Sequence, residues 1–221
     1  PSARTQENAM AKRAPTRSDH LRSAVAQEAA RLMAEHGIQD FLVAKRKAAE
    51  RYGVMDTSLL PKNTEIEAAL MSHQRLFGGA KHEHSLQEQR RVALRAMQVL
   101  EKFEPRLVGA VLTGSATQHA DIQLHVFSDS PESVYMQLMD ARYDYEVFER
   151  RVRMSAERQI SVPSVRFEMG DETVEAFVFP KDGIRQAPVS PVDGKPMRRA
   201  DAREVRGMMD AGRGEFAPRF R

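Results

Sequence analysis

The sequence predicts an α+β fold, a mixed sheet flanked by helices and preceded by an N-terminal helical region. Three observations carry that expectation. An apolar run, Leu107 to Leu112, ends in Gly114-Ser115, and a second run follows in which Asp121, Gln123 and His125 alternate with Ile122, Leu124 and Val126. Period-two alternation marks a strand with one apolar and one polar face. The first hundred residues instead carry helical spacing and helix signals. Further alternating runs appear after residue 142, ahead of a stretch rich in Pro and Gly.

Taken in order, residues 1–18 read as a disordered basic tail and residues 19–85 as a helical region. Asp19 precedes a helical run from Leu21 to His36 that stops at Gly37, and a second run from Gln39 to Tyr52 stops at Gly53. Thr64-x-x-Glu67 and Ser85-x-x-Glu88 have the form of capping boxes. The first opens a helix reaching Phe77 before Gly78-Gly79. The second opens a long helix from Leu86 to Phe103, closed by Pro105. Residues 86–183 hold the sheet: strands at the two central runs, a helix from Pro131 to Ala141, then strands near Tyr143–Phe148, Val165–Met169 and Glu172–Phe179. Gly170-Asp171 is the hairpin turn between the last two. Residues 184–221 read as a Pro/Gly-rich loop and a basic C-terminal tail with a short helix from Ala200 to Met209.

Composition narrows the function classes. Cysteine is absent, which excludes disulfides, thiolate metal sites and cysteine nucleophiles. No run approaches the roughly 18 apolar residues of a membrane span, and the beginning of the chain lacks the apolar segment of a signal peptide. Together these lead to the expectation of a cytoplasmic protein with no membrane partner. Net charge is only +3, but Arg4, Lys12, Arg13 and Arg17 gather at one end. Arg198, Arg199, Arg203, Arg206, Arg213, Arg219 and Arg221 gather at the other. Such ends offer nucleic acid an electrostatic hold, the alternative being solvated disorder.

Gly114-Ser115 at a strand end offers a turn with free N–H groups that suits phosphate. Residues 121, 123 and 125 share a strand face, as ligands of a hard cation must. This combination resembles the nucleotidyltransferase superfamily with its polymerase-beta-like fold, over roughly Leu86 to Pro180. That signature is a strand, Gly-Ser, a spacer, Asp-x-Asp on the next strand and a third carboxylate on a later one. Gly114, Ser115 and Asp121 match it, whereas Gln123 stands at the second Asp and the spacer is short. The chain thus resembles a bacterial branch with a degenerate motif.

The resemblance implies phosphate binding by Gly114 and Ser115, and Asp121 and Glu175 as catalytic carboxylates, with Glu168 a rival to Glu175. It implies a Mg²⁺ or Mn²⁺ site drawn from Asp121, Gln123, His125 and Glu175. Because Gln123 is neutral, one metal ion is expected in place of two. Two functions follow. One is transfer of a nucleoside monophosphate from a nucleoside triphosphate to an acceptor hydroxyl. The other is a non-catalytic module of that fold, binding nucleotide, nucleic acid or a protein partner.

The remaining residues have plainer readings. In these, Glu175 is a solvent-facing strand residue paired with Arg166, and His125 a hydrogen-bonded histidine on a half-buried face. His82-Glu83-His84 lies in an exposed loop, and Met97, Met136 and Met139 are core residues of helices.

Overall fold

The computed structural model describes residues 16–215 and, within the last helix, side chains as far as Ala211. The basic residues of 1–15 and 216–221, and the side chain of Arg213, therefore lie outside the described part. Seven α-helices and five strands are present there. They are α1 (Arg17–His36), α2 (Phe41–Arg51), α3 (Asn63–His73), α4 (Gly79–Val99), β1 (Arg106–Val108), α5 (Gly109–Thr113) and β2 (Ile122–Phe127), then α6 (Pro131–Asp140), β3 (Tyr145–Arg153), β4 (Gln159–Met169), β5 (Glu172–Phe179) and α7 (Ala202–Glu215). No helix among them is long and apolar enough to cross a membrane.

Helix α1 begins earlier than the Asp19 signal indicates. Thr16 is the N-cap and Asp19 the third residue of its capping box, so Arg17 and Ser18 are helical. The α1–α3 helices close on a core of small residues, Ala26, Ala29, Ala30, Ala44 and Ala48, wedged with Val25, Met33, Ile66 and Leu70. The expected Thr64-x-x-Glu67 box does not form. Lys62 is the cap residue and Glu65 bonds back to its N–H, which frees Glu67 for another role. Past α3, a π-helical turn, Gln74–Gly78, runs into Gly79, whose φ of 45° with ψ of −132° breaks the helical path. Helix α4 starts there, so His82, Glu83 and His84 sit on a helix and not in a loop, and Ser85 caps nothing.

Helix α4 supplies Leu86, Val92, Ala93, Ala96 and Met97 to the main core. Its partners are Ile122, Leu124 and Val126 of β2, Val165 and Phe167 of β4, Val174, Ala176 and Val178 of β5, Val134 and Leu138 of α6, and Val205 of α7. The sheet order is β1-β2-β5-β4-β3. Only the β2–β5 pair is parallel; the others are antiparallel. The fold is thus a five-stranded mixed sheet with flanking helices.

The first apolar run is not one strand. Only Arg106–Val108 pairs, with β2, and the chain then turns into α5 at Gly109, with φ of 70°. A Cβ there would lie 2.6 Å from Gln123 Oε1. Beyond α6, the hairpin strands β3 and β4 are longer than their alternation predicted, because Arg150, Arg151 and Arg153 interrupt the polarity pattern without interrupting the pairing. Met136 and Met139 are exposed, contrary to expectation, because Val134 and Leu138 face the core instead.

Gly109→Ala puts a Cβ at a positive φ and against the Gln123 amide. We expect it to cost about 1–3 kcal/mol of stability by urea denaturation. The same change at Gly53, also left-handed but with open space around it, should cost less.

Candidate functional site

The site is organised by registers of the sheet. Val108 of β1 opposes Gln123, Gln123 opposes Glu175 of β5, Glu175 opposes Arg166 of β4, and Arg166 opposes Glu146 of β3. Residues directly opposite share a face, so these side chains form one row on the side away from α4. The next row holds His125, Phe177, Ser164 and Phe148. Further along, Phe127, Val162, Phe177 and Phe179 form a small second core with Ile184 above it. One face of the sheet is therefore charged at one end and aromatic at the other.

Glu175 is fully buried at 0% exposure. Its carboxylate accepts from Arg166 Nη2 at 2.6 Å and from Arg150 Nη2 at 3.1 Å. Both guanidiniums lie on aromatic rings, Arg166 over Phe148 and Arg150 over Phe177, which holds their planes in place. The expected Arg166 partner is thus real, but Glu175 is no solvent-facing residue. The rival, Glu168, accepts instead from the Thr173 hydroxyl at 3.0 Å.

Asp121 sits one residue before β2, half-buried at the end of the sheet where β2 and β5 begin. Burial raises its pKa, and the negative charge of Glu175 adds to that; a Gln39 hydrogen bond and the charges of Arg166 and Arg150 oppose it. An open cleft of about 580 Å³ adjoins it, lined by Asp144, Glu146, Arg166, Glu168 and Thr173 among others. Gln123 keeps its amide oxygen over Gly109.

His125 is not available as a ligand on that face. It is buried, and its Nδ1 accepts from Arg199 Nε at 2.9 Å. Burial, with help from the Arg199 charge, holds its pKa at about 3, so the ring is neutral at physiological pH. Arg199 in turn is no tail residue. It lies between Phe127 and Phe179 and donates to the Gly183 and Ile184 carbonyls, and burial lowers its pKa to about 10.

Gly114 takes the left-handed φ of 87° that the turn requires. Ser115 is buried, and its hydroxyl donates to Glu67 Oε1 at 3.1 Å. Gln74 Nε2 caps the Ser115 and Ala116 carbonyls, while Gln89 Nε2 holds the Thr117 carbonyl. Gln39 Nε2 donates to the His119 carbonyl at 2.7 Å. The turn and its spacer are therefore gripped by α3, the π turn, α4 and the segment before α2. Arg90 of α4 reaches Gly114, 4.0 Å from the place of a Cβ there, and donates from Nε to the Val111 carbonyl. Its pKa is lowered chiefly by burial, with Arg198 adding to the effect.

The sequence thus locates Asp121, Gln123 and Glu175 in one neighbourhood and Arg166 beside Glu175, but misses the other partners. Arg150 lies in the charged run Glu149–Arg151, which hides the period of β3 at that point. Glu67, Gln74 and Arg90 had no local signal, because their roles depend on long-range packing. Among the described residues, no three His, Asp or Glu side chains converge as a metal site.

No family model, curated protein or solved structure matches the chain.

Two outcomes follow from this geometry. Replacing Arg150 and Arg166 together by Ala strands a buried carboxylate. The cost should be about 3 kcal/mol, the low end for such a loss, because the guanidiniums are 46% and 42% exposed and water can enter. Adding Glu175→Gln should recover much of it in chemical denaturation. For Asp121, a raised folded pKa means the folded state binds more protons than the unfolded chain. Stability should fall as pH rises from the ordinary value of 3.8 through the folded pKa. Asp121→Asn should therefore raise the melting temperature at pH 7, with a gain that shrinks as the pH is lowered toward 3.8.

Proposed function

We propose that the chain is a nucleotidyltransferase-like module that binds a nucleoside triphosphate and does not carry out two-metal nucleotidyl transfer. The observation behind this reading is the state of Glu175, enclosed in the sheet and neutralised by Arg150 and Arg166. A second catalytic cation would have to displace both guanidiniums from a carboxylate that is itself fully buried. Gln123 supplies no compensating charge, and the His125 ring is committed to Arg199.

What remains suits binding. The Gly114–Ser115 turn carries a left-handed glycine and has Arg90 close by, a setting for phosphate oxygens. Asp121, at the end of the spacer that follows, is the carboxylate without an arginine hydrogen bond. Mg²⁺ is commonly held by one or two carboxylates together with substrate phosphates, so Asp121 fits one Mg²⁺ or Mn²⁺ delivered with the nucleotide. Such an ion would neutralise phosphate charge and relieve the burial and repulsion that raise the Asp121 pKa.

Calorimetry with a nucleoside triphosphate, with and without Mn²⁺, tests the reading. Binding should require metal, and Asp121→Asn and Arg90→Ala should each weaken it by about tenfold or more. Pyrophosphate should not be released by the wild type. Gln123→Asp should not switch release on, because Glu175 stays clamped. Metal-dependent release abolished by Glu175→Gln would overturn the proposal in favour of transfer, and absence of binding in every buffer would dispose of both.

A further inference from the structure

The apolar cluster of α1–α3 shares no residue with the main core built on α4 and the sheet. Polar side chains make the hydrogen bonds between this helical unit and the rest. Gln39 Nε2 donates to the His119 carbonyl at 2.7 Å, and Asn63 Nδ2 to the Pro191 carbonyl at 2.8 Å. Gln74 Nε2 donates to the Ser115 and Ala116 carbonyls, and the Ser115 hydroxyl donates to Glu67 of α3. An amide on a carbonyl exchanges for water at modest net cost, which makes such a seam easier to open than an apolar one.

The same contacts fall on the groups assigned above to the nucleotide. Ser115 is only 5% exposed. The N–H groups of Gly114 and Ala116 both go to the Ala110 carbonyl, so the turn has the Ser115 hydroxyl and N–H left to offer a phosphate. A hydroxyl has one proton to donate, and this one is given to Glu67. Gln39, from the same unit, lies against the Asp121 carboxylate.

We infer that the α1–α3 unit is a built-in occupant of the nucleotide site, its Glu67 carboxylate standing in for a phosphate oxygen on Ser115, and that a nucleotide binds by displacing it. The inference rests on the nucleotide-binding reading given above. Phosphate and Glu67 compete for one proton and, both being anionic, repel each other at that distance. The unit joins the body through the π turn and Gly79, which stands at φ of 45° with nothing within 4 Å of the place of a Cβ. Backbone rotation at that glycine meets no side chain of its own. The docked state also carries a cost that undocking removes: Gln74 is buried, and its Oε1 has no partner. Nucleotide affinity is then the affinity of the open form reduced by the fraction of chains that are open.

Calorimetry with ATP, GTP, CTP and UTP, each with Mn²⁺, tests the inference on three proteins. The first is the wild type, and the second is Glu67→Ala, which frees the Ser115 hydroxyl and should tighten binding by about tenfold or more. The third carries Gly37→Cys and His119→Cys in a chain that otherwise has no cysteine. A Cβ at Gly37 lies 3.4 Å from His119 Cβ, close to the spacing of a disulfide, so oxidation should lock the unit down. The oxidised form should bind about tenfold or more weakly than the same protein reduced, a comparison in which any strain at the left-handed Gly37 cancels. Affinity indifferent to Glu67→Ala in a protein that melts as the wild type does, or indifferent to oxidation of the cysteine pair, overturns the inference and leaves the nucleotide reading standing. Absence of binding by the wild type, Glu67→Ala and the reduced pair alike disposes of that reading, and of this inference with it.

Discussion

A carboxylate enclosed in the sheet, bonded to two guanidiniums that rest on aromatic rings, is the interaction on which the polar face of this protein depends. An ionised Glu175 alone at that depth would be untenable, because its hydration is gone. Arg150 and Arg166 replace that hydration. Phe148 and Phe177 beneath them limit where the guanidiniums can go. Strands β3, β4 and β5 are thereby tied through side chains as well as through their ladders. The same clamp sets the electrostatics of Asp121, which feels the residual negative charge of Glu175 and the opposing arginines.

The aromatic end of that face has a different economy. His125 is kept neutral by burial and by Arg199, and Arg199 is kept charged by carbonyls and ring faces with no carboxylate beside it. An apolar patch is thus closed over by a segment that has no strand or α-helix of its own. The two ends of one sheet face solve opposite problems, ion pairing at one and desolvation at the other, within the length of a strand.

The sequence revealed the sheet through alternation of polar and apolar side chains, which persists in β2 and β5 although both of their faces are mostly buried. Ile122 to Phe127 and Glu172 to Phe179 were legible for that reason. Arg106 to Leu112 was not, since an apolar run buried on all sides has no period to read, and its break at Gly109 comes from the close approach of Gln123. Capping patterns misled twice. Glu67 resembles a box residue but serves Ser115, and Ser85 lies inside a helix whose start is set by Gly79. At the site, Asp121, Gln123 and Glu175 came from local pattern. The partners that decide their chemistry came from β3, α3, α4 and the segment before α7, none of which the pattern addresses.

The π turn at Gln74–Gly78 has a bearing on how this chain tolerates changes of length. A π turn holds one residue more than the α-helix it interrupts. Gly79 breaks the path directly after it, so the π turn and that glycine together set the direction in which α4 leaves α3. Glu67 and Gln74 grip the Ser115 turn from one side of that point, and Gln89 and Arg90 from the other. The turn and the glycine therefore align two grips on one loop. A single-residue deletion there would separate them even though every contacting side chain was still encoded.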